Sequence, residues 1–245
     1  MRNQFLLLTV TAWFAVPLGL RAADEEKAGP HDNQPPAGFT AVFNGRDVAG
    51  WQGVVPFNKR LKMTAEELKT TQEATNKNVL PHWQAKSGIL VNDGQGDNLA
   101  TVKNYGNIEL LLDWKIEPKG DSGVYLRGNP QVQIWDSDAL DPKKFAKDYQ
   151  KGSGSLWNNK QNNVPLKRAD KAPGEWNSFR IIMKGDKVTV YLNGELVVDQ
   201  VPLENIWERG KPLPEKGPIE LQRHPKQDGT LGKLWFKNIY IKELD

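Results

Sequence analysis

The segment GPIELQRH contains three polar side chains whose types suit proton transfer and hydroxyl binding. Glu220, Gln222 and His224 alternate with Ile219 and Leu221, so a strand here would place the two sets on opposite faces. A carboxyl, an amide and an imidazole would then lie in a row, about 6–7 Å apart. An ordinary exposed strand face shows the same alternation, so this pattern leaves both interpretations open.

A second segment, Asp121–Asp136, shows the same division of faces. Val124 and Leu126 share one face, and a turn at 128–130 leads to a second strand in which Val132 and Ile134 do the same. The opposite faces carry Tyr125, Arg127, Gln131, Gln133 and Trp135. Aromatic rings stack on the C–H faces of sugars, and amide and guanidinium groups bind their hydroxyls. The mixture predicts a carbohydrate-binding surface.

The chain has nine tryptophans, several of which must be structural. We expect Trp114 and Trp176 in the core, and Trp135 and Trp157 in a cleft.

Familiar catalytic patterns are missing. No nucleophile elbow, phosphate-binding loop or zinc-protease motif occurs. Glu109, Asp113 and Glu117 are each four residues apart, which is too far for the pair of carboxylates, about 5 Å apart, that a retaining glycosidase needs. The absence of cysteine excludes disulfides and thiolate metal sites. One histidine with carboxylates remains as a cation site, so a divalent cation such as Ca²⁺ or Mn²⁺ stays open.

Turn signals separate many short β-like runs. Asn193-Gly194 between two such runs predicts a type I′ hairpin. A phase change at Lys237-Asn238 predicts a β-bulge. The fold class is therefore all-β: a two-sheet antiparallel β-sandwich of the jelly-roll type, with one or two short helices in loops.

Two helices are expected. Thr64–Gln72 begins with a capping box formed by Thr64 and Glu67, and it lies in an insertion at about 54–82. A second short helix is expected near Pro142–Tyr149.

The first residues are typical of an exported protein. Residues 1–22 have Arg2 before an apolar run and a small residue at the end, which predicts a cleaved signal peptide and no stable membrane anchor. Residues 23–37 are polar and proline-rich and are predicted to be a flexible leader before one domain at 38–245. Loss of Arg2 and Arg21 lowers the formal charge of +3 by two, which removes the case for a nucleic-acid partner. The oligomeric state is left open.

Several segments together resemble the 3-keto-disaccharide hydrolase domain family. They are FNGRDVAGW (43–51), LLLDWKIEPKGDSGVYLRG (110–128), PQVQIWD (130–136), PGEWNSFRIIMKGDKVTVYLNGELV (173–197), GPIELQRH (217–224) and LWFKNIYIKEL (234–244). The resemblance implies a concanavalin A-like sandwich, periplasmic or extracellular, that cleaves glycosides already oxidised to a ketone at sugar C3. A base would remove the C2 proton, donors would stabilise the enolate, and the glycosidic oxygen would leave by elimination.

The resemblance also implies roles for particular residues. His224 is the expected base or acid, Arg127 the expected enolate-binding group, and Asp136 the carboxylate in a Q-x-x-D spacing with Gln133. Substrate contacts are expected from Gln133, Gln131, Tyr125, Trp135, Trp157, Gln222 and Glu220. The chain departs from the family pattern at Gln131, where relatives carry a glutamate, and at Arg223 and Pro225, where relatives carry an acidic residue and glycine.

Three functions are compatible with these features. The first is an enzyme that cleaves 3-keto-disaccharides or other 3-keto-glycosides. The second is a lectin-like module that binds carbohydrate on the same face without catalysis. The third and weakest is a structural or adhesive module.

Overall fold

The alternating segments form strands in the computed structural model, which describes residues 26–145, 149 and 151–245. The strands, in chain order, are β1 Thr40–Ala41, β2 Trp51–Gly53, β3 Trp83–Lys86, β4 Ile89–Asn92, β5 Leu99–Thr101, β6 Ile108–Ile116, β7 Asp121–Tyr125, β8 Gln131–Trp135, β9 Asn177–Lys184, β10 Lys187–Leu192, β11 Glu195–Pro202, β12 Glu220–Leu221 and β13 Leu234–Glu243. The helices are α1 Phe57–Arg60 and α2 Ala65–Val79, with 3₁₀ turns at Leu80–His82 and Ser137–Ala139. The predicted signal peptide at 1–22 lies outside the described residues.

The strands build two antiparallel sheets. The larger sheet has the order β11-β10-β9-β6-β13-β4-β3, with β1 added beside β13, and the smaller has the order β2-β5-β12-β7-β8. Apolar side chains from both sheets are buried in one core, which includes Trp83, Trp114, Phe179 and Phe236. The predicted jelly-roll sandwich is confirmed, and so is the core position of Trp114.

Local turn predictions agree with the backbone. Asn193 and Gly194 join β10 to β11 with φ angles of 52° and 84°, which is the left-handed conformation that a type I′ turn requires. The register between β13 and β6 shifts between Lys237 and Tyr240, and Asn238 has a φ of 53°. The hairpin and the bulge are therefore confirmed.

The segment between β2 and β3, residues 54–82, holds both helices. Thr64 and Glu67 form the predicted capping box, but α2 continues to Val79, seven residues beyond the predicted end. The extension is stabilised by β2, since Gln72 Nε2 donates to the Gly53 carbonyl at 2.7 Å and Asn76 Oδ1 accepts from the Gly53 amide at 2.9 Å. A Cβ at position 53 would lie 2.9 Å from Val79, so glycine lets the helix approach the strand.

We expect Thr64→Ala to lower the free energy of unfolding by about 1 kcal/mol, because the amide of Glu67 loses its capping oxygen. Urea denaturation measures the effect. Thr70→Ala, an exposed position within the same helix, is the matched control and should be neutral or slightly stabilising. Equal losses in both variants would contradict the cap.

Of the second predicted helix, near Pro142–Tyr149, the described residues are helical only at its end, where Tyr149 has 3₁₀ conformation. Residues 142–145 form turns and a bend, and residues 146–148 lie outside the described residues. Among the described helices, none is long and apolar enough to cross a membrane.

The predicted leader, residues 23–37, contacts the larger sheet in the part that the structure describes. Asn33 and Asn238 exchange two hydrogen bonds of 2.6 and 3.2 Å, and Asp32 pairs with Lys237 at 2.6 Å. The bulge exposes the backbone and side chain of Asn238 to these partners, and strand alternation gives no sign of this contact.

The predicted core position of Trp176 is wrong. Its indole nitrogen donates to Glu26 Oε1 at 2.7 Å, and the ammonium groups of Lys115 and Lys237 lie 5.1 and 4.7 Å from its ring. Cation–π contacts and a carboxylate hold this side chain on the outer face of the larger sheet. Tryptophan content alone does not distinguish this position from the core.

Candidate functional site

The outer face of the smaller sheet carries most of the predicted polar side chains. Strands β7, β8 and β12 are neighbours, with Tyr125 opposite both Gln131 and Glu220, and Gly123 opposite Gln133. The inner-face residues Val124, Val132 and Leu221 are buried in the core. Alternation therefore assigned these strands to the correct faces.

A chain of side-chain contacts crosses this face and ends at His224. Gln131 Nε2 donates to Gln133 Oε1, and Gln133 Nε2 donates to Asp121 Oδ1 at 2.7 Å. Asp121 Oδ2 lies 3.4 Å from His224 Nδ1. Each amide is oriented by its neighbour, so the carboxylate and the imidazole are held in a fixed relation.

The hydrogen bonds of His224 indicate which ring nitrogen carries the proton. Nδ1 lies 2.8 Å from the carbonyl oxygen of Pro225, which can only accept. Nδ1 therefore donates, and Nε2 keeps its lone pair in the neutral ring. Within the described residues Nε2 has no hydrogen-bond partner, and the side chain is 49% exposed. The basic nitrogen of this imidazole is thus available to a ligand.

Asp121 is the less exposed member of this pair, with 18% of its side chain accessible. Burial raises the pKa of its carboxyl to about 6, although the His224 imidazole and the Gln133 amide favour the charged form. The carboxyl changes charge near the pH at which an imidazole is useful as a base. Sequence analysis gave Asp121 no role, although its alternation with Gly123 and Tyr125 already places it on the polar face.

Gly123 forms the floor of the middle of this face. A Cβ at this position would lie 2.7 Å from Gln131 Oε1 and 3.3 Å from Gln222 Oε1. Both of these oxygens are shielded from solvent and lack a hydrogen-bond donor in the described part of the chain. Buried acceptors of this kind are costly unless a ligand supplies the donor. Two acceptors that converge over a glycine are suited to sugar hydroxyls.

Glu220 and Tyr125 lie at the end of the face away from His224. Burial raises the pKa of Glu220 to about 7, with Arg60 and Asn98 opposing the shift and Asp97 adding to it. Burial also raises the pKa of Tyr125, and Glu220 and Asp121 add to that increase. Gln222 Nε2 lies 3.4 Å from the Tyr125 hydroxyl. Tyr125 therefore stays a neutral hydroxyl donor across the neutral pH range.

The placement of Arg127 does not fit the predicted enolate-binding role. Its guanidinium donates to the carbonyls of Gly106 and Pro214 at 3.2 and 3.1 Å, and to Asn107 Oδ1 at 3.3 Å. Strand β7 ends at Tyr125, and Arg127 has a φ of 53°, so the alternation does not extend to it. Its side chain joins loops at the rim of the sandwich.

Asp136 is likewise removed from the polar face. Its Oδ2 accepts from the backbone amide of Lys119 at 2.8 Å, closing the turn between β6 and β7. Because Asp136 directly follows Trp135, strand alternation would point its side chain away from the polar face. The carboxylate that the structure brings close to His224 is therefore Asp121, and not the Asp136 of the Q-x-x-D spacing.

Trp135 and Trp157 belong to an aromatic cluster with Phe145 and Tyr149. Trp135 is on the predicted face but buried, since its ring meets Trp157 at 5.4 Å and its indole nitrogen donates to the Gly152 carbonyl. The predicted cleft position of Trp135 is therefore wrong. Trp157 is 36% exposed and covers Trp135, so Trp157 presents an aromatic surface to solvent.

The described residues offer little to a metal ion. No three His, Cys, Asp or Glu side chains in this part of the chain are arranged to hold one. The pair of Asp121 and His224 does not by itself meet the six to eight oxygen ligands that Ca²⁺ prefers. We therefore derive no step through the divalent cation that the sequence left open.

A cavity of about 530 Å³ opens elsewhere, on the outer face of the larger sheet. Its lining includes His31, Tyr191 and Tyr240, and none of the predicted site residues. We locate the candidate site on the smaller sheet, because the imidazole, the buried Glu220, the partly buried Asp121 and the unpaired amide oxygens lie there.

Comparison with known proteins gives consistent relatives. The family model described as 3-keto-alpha-glucoside-1,2-lyase-like domain matches residues 38–242. A 3-keto-disaccharide hydrolase of Bacteroides thetaiotaomicron is 25% identical over 246 residues, covering 85% of this chain and 79% of that protein.

Two solved structures from Parabacteroides distasonis, both described as candidate glycosyl hydrolases, are also similar. One is 27% identical with a TM-score of 0.63 and covers 87% of this chain and 100% of its own. The other is 29% identical with a TM-score of 0.52 and covers 67% and 91%. The family match spans the whole sandwich and confirms the resemblance seen in the sequence: the chain belongs to the 3-keto-alpha-glucoside-1,2-lyase-like domain family.

Proposed function

We propose that this protein cleaves 3-keto-disaccharides or related 3-keto-glycosides, with His224 Nε2 as the base. The observation that carries the proposal is the imidazole whose Nδ1 is bonded to Pro225 and whose Nε2 has no partner among the described residues, beside the partly buried carboxyl of Asp121. The names of the family and of the Bacteroides relative support the substrate class.

The reaction needs one proton carrier and a set of donors. His224 Nε2 takes the proton from sugar C2, whose acidity the C3 ketone raises, and the electrons of the C–H bond move into an enolate. The C1–O bond then breaks with formation of a C1–C2 double bond, and the leaving oxygen takes the proton back from the imidazolium. Addition of water across the double bond yields the 3-keto sugar, so the net result is hydrolysis.

The remaining polar groups bind and orient the substrate. Tyr125 and the Gln222 amide donate hydrogen bonds to the enolate, the role that the sequence predicted for Arg127. The unpaired oxygens of Gln131 and Gln222 accept hydrogen bonds from sugar hydroxyls. Trp157 offers a ring on which a sugar can stack.

Incubation with 3-keto-trehalose and with unoxidised trehalose tests this function. We expect glucose to be released from the oxidised sugar alone, as measured by chromatography. In D₂O, we also expect deuterium to enter at C2 of the 3-keto sugar, because reprotonation of the enolate uses solvent-derived protons. Absence of both release and exchange would overturn the proposal.

A second candidate is carbohydrate binding without catalysis. It is favoured by the 49% exposure of His224 and by the removal of Arg127 from the face. Binding of 3-keto-trehalose by calorimetry with no deuterium exchange at C2 would select this function.

We expect Asp121→Asn to lower kcat/KM for 3-keto-trehalose by about tenfold. The loss is smaller than in a serine-protease triad, because the Pro225 carbonyl still holds the Nδ1 proton and fixes the tautomer. Asp136→Asn, a carboxylate off the face, is the matched control and should retain activity. Wild-type activity in the Asp121 variant, or a larger loss in the Asp136 variant, would contradict the assignment.

We also propose export, on the signal-like pattern of residues 1–22. N-terminal sequencing of the mature protein tests it, and the expected cleavage follows Ala22.

A further inference from the structure

A cavity of about 300 Å³ lies at the rim of the sandwich, where α1 meets the loop before β6 and the segment before β12. Its lining carries three basic side chains, Arg60, Arg127 and Lys216, and one amide, Asn104. Among the described residues no carboxylate lines it, and the remaining walls include Phe57, Leu61 and Pro218. This excess of positive charge in a small, largely apolar cavity is suited to an anion.

Two of the three cations, Arg60 and Lys216, form no hydrogen bond or ion pair with a side chain in the described chain. Arg127 is bonded to loop carbonyls, as described above. Arg60 has its Nε shielded from solvent with no hydrogen-bond partner among residues 26–145, 149 and 151–245, and its guanidinium lies 5.7 Å from the centre of the Phe57 ring. Lys216 is exposed, and the structure shows no ion pair for it within the same ranges. A shielded guanidinium nitrogen without an acceptor indicates that an acceptor is supplied from outside.

In the described chain, the nearby carboxylates do not form ion pairs with the cations that line the cavity. Burial lowers the pKa of Arg127 and the charges of Asp186 and Glu215 oppose this shift, but neither acidic residue lines the cavity. Glu220 acts on Arg60 electrostatically, but no oxygen of Glu220 forms an ion pair with it in the described chain. Gly128 lies near both the Glu220 carboxyl and the Arg60 guanidinium. A Cβ at this position would be 3.0 Å from Glu220 Oε1 and 3.5 Å from a terminal nitrogen of Arg60.

The cavity is continuous with the candidate site along the chain. Pro218 lines it, and Glu220, Gln222 and His224 follow on the same segment. At about 3.3 Å per extended residue, the six steps along the chain from Pro218 to His224 span about 20 Å. A short oligosaccharide that lies along this face can therefore reach both places.

We propose that this cavity binds the carboxylate of an acidic sugar, a uronic acid residue at the remote end of a longer glycoside. Arg60 and Lys216 contact the carboxylate, and Phe57 with the proline and leucine side chains contacts the apolar face of the ring. The choice of a sugar as the carrier of the charge rests on the proposed function, whereas the anion site itself rests on the unpaired cations.

Calorimetry with cellobiouronate, cellobiose and inorganic phosphate tests the inference on the full chain. The two disaccharides differ only in the carboxylate, and neither carries a C3 ketone, so binding is measured independently of cleavage. We expect cellobiouronate to bind about tenfold more tightly than cellobiose. Arg60→Gln and Lys216→Gln should each remove most of that difference, and Arg60→Lys should restore part of it.

Lys62→Gln is the matched control, because Lys62 is an exposed cation close to Arg60 in the chain that does not line the cavity. Binding should be unchanged in this variant. The proposal is overturned if the two disaccharides bind equally, or if Lys62→Gln weakens binding as much as the other two. It is also overturned if phosphate alone shows the dependence on Arg60 and Lys216.

Discussion

Replacement of His224 by alanine is expected to lower kcat/KM for 3-keto-trehalose by about 10³-fold, within the usual range for the loss of a general base. The expectation follows from His224 Nε2, a basic ring nitrogen on the polar face that has no hydrogen-bond partner among the described residues. The side chain is half exposed, so the free energy of unfolding should change little. Glucose release and thermal denaturation measure the two quantities.

His82→Ala is the matched control for that variant. His82 also pairs with a carboxylate, at 2.9 Å from Asp93, but it lies in the 3₁₀ turn before β3, away from the polar face. Its loss should leave cleavage unchanged. Equal glucose release by the wild type and the His224 variant would remove the base from the mechanism. Added imidazole should restore part of the activity of the His224 variant, which a purely structural role would not allow.

Replacement of Glu220 by glutamine is expected to stabilise the protein at pH 8 by about 3 kcal/mol, on the order set by its pKa shift. The pKa of this carboxyl is about 7 in the folded protein and near 4.5 in its ordinary state. Between these values the folded state binds more protons than the unfolded state, so the free energy of unfolding falls as pH rises through this window. A glutamine stays neutral and avoids this loss.

The measurement is the difference in urea stability between wild type and Glu220→Gln at pH 4.5 and pH 8. The difference should be near zero at the lower pH and largest at the higher one. Glu73→Gln, at an exposed position on α2, serves as the control and should change stability by less than about 0.5 kcal/mol at either pH. If the Glu220 variant is less stable than the wild type at pH 8, neighbouring groups offset the free-energy cost of burying the charged carboxylate, and the prediction is wrong.

Sequence patterns predicted the parts of the fold that depend on local geometry. Alternation assigned Tyr125, Gln131 and Gln133 to the outer face, and Asn193-Gly194 identified a hairpin, because each depends only on strand periodicity or on a φ angle. The predicted end of α2 was wrong, because the last turns of this helix are stabilised by contacts with β2, which is distant in sequence.

Site residues were predicted less well, and the reasons are physical. Arg127 lies two residues beyond the end of β7 in a left-handed conformation, where alternation no longer applies. Trp135 is on the expected face, but a later segment containing Trp157 covers it. Asp121 follows the predicted alternation of its strand. Its proximity to His224 could not be predicted, because the two residues are more than one hundred positions apart in the chain.

The His224–Pro225 peptide has a thermodynamic consequence for catalysis. A proline restricts its own φ and disfavours the helical region for the residue before it, so the backbone on both sides of the imidazole has few conformations in the unfolded chain as well. The acceptor for Nδ1 is the carbonyl of that same proline, which moves with the ring that it orients. Part of the conformational entropy of aligning the base is therefore already absent from the unfolded chain, and less of it is left to oppose the chemical step. Pro225→Ala should accordingly make the activation entropy more unfavourable, while the chemical identity of the base is unchanged.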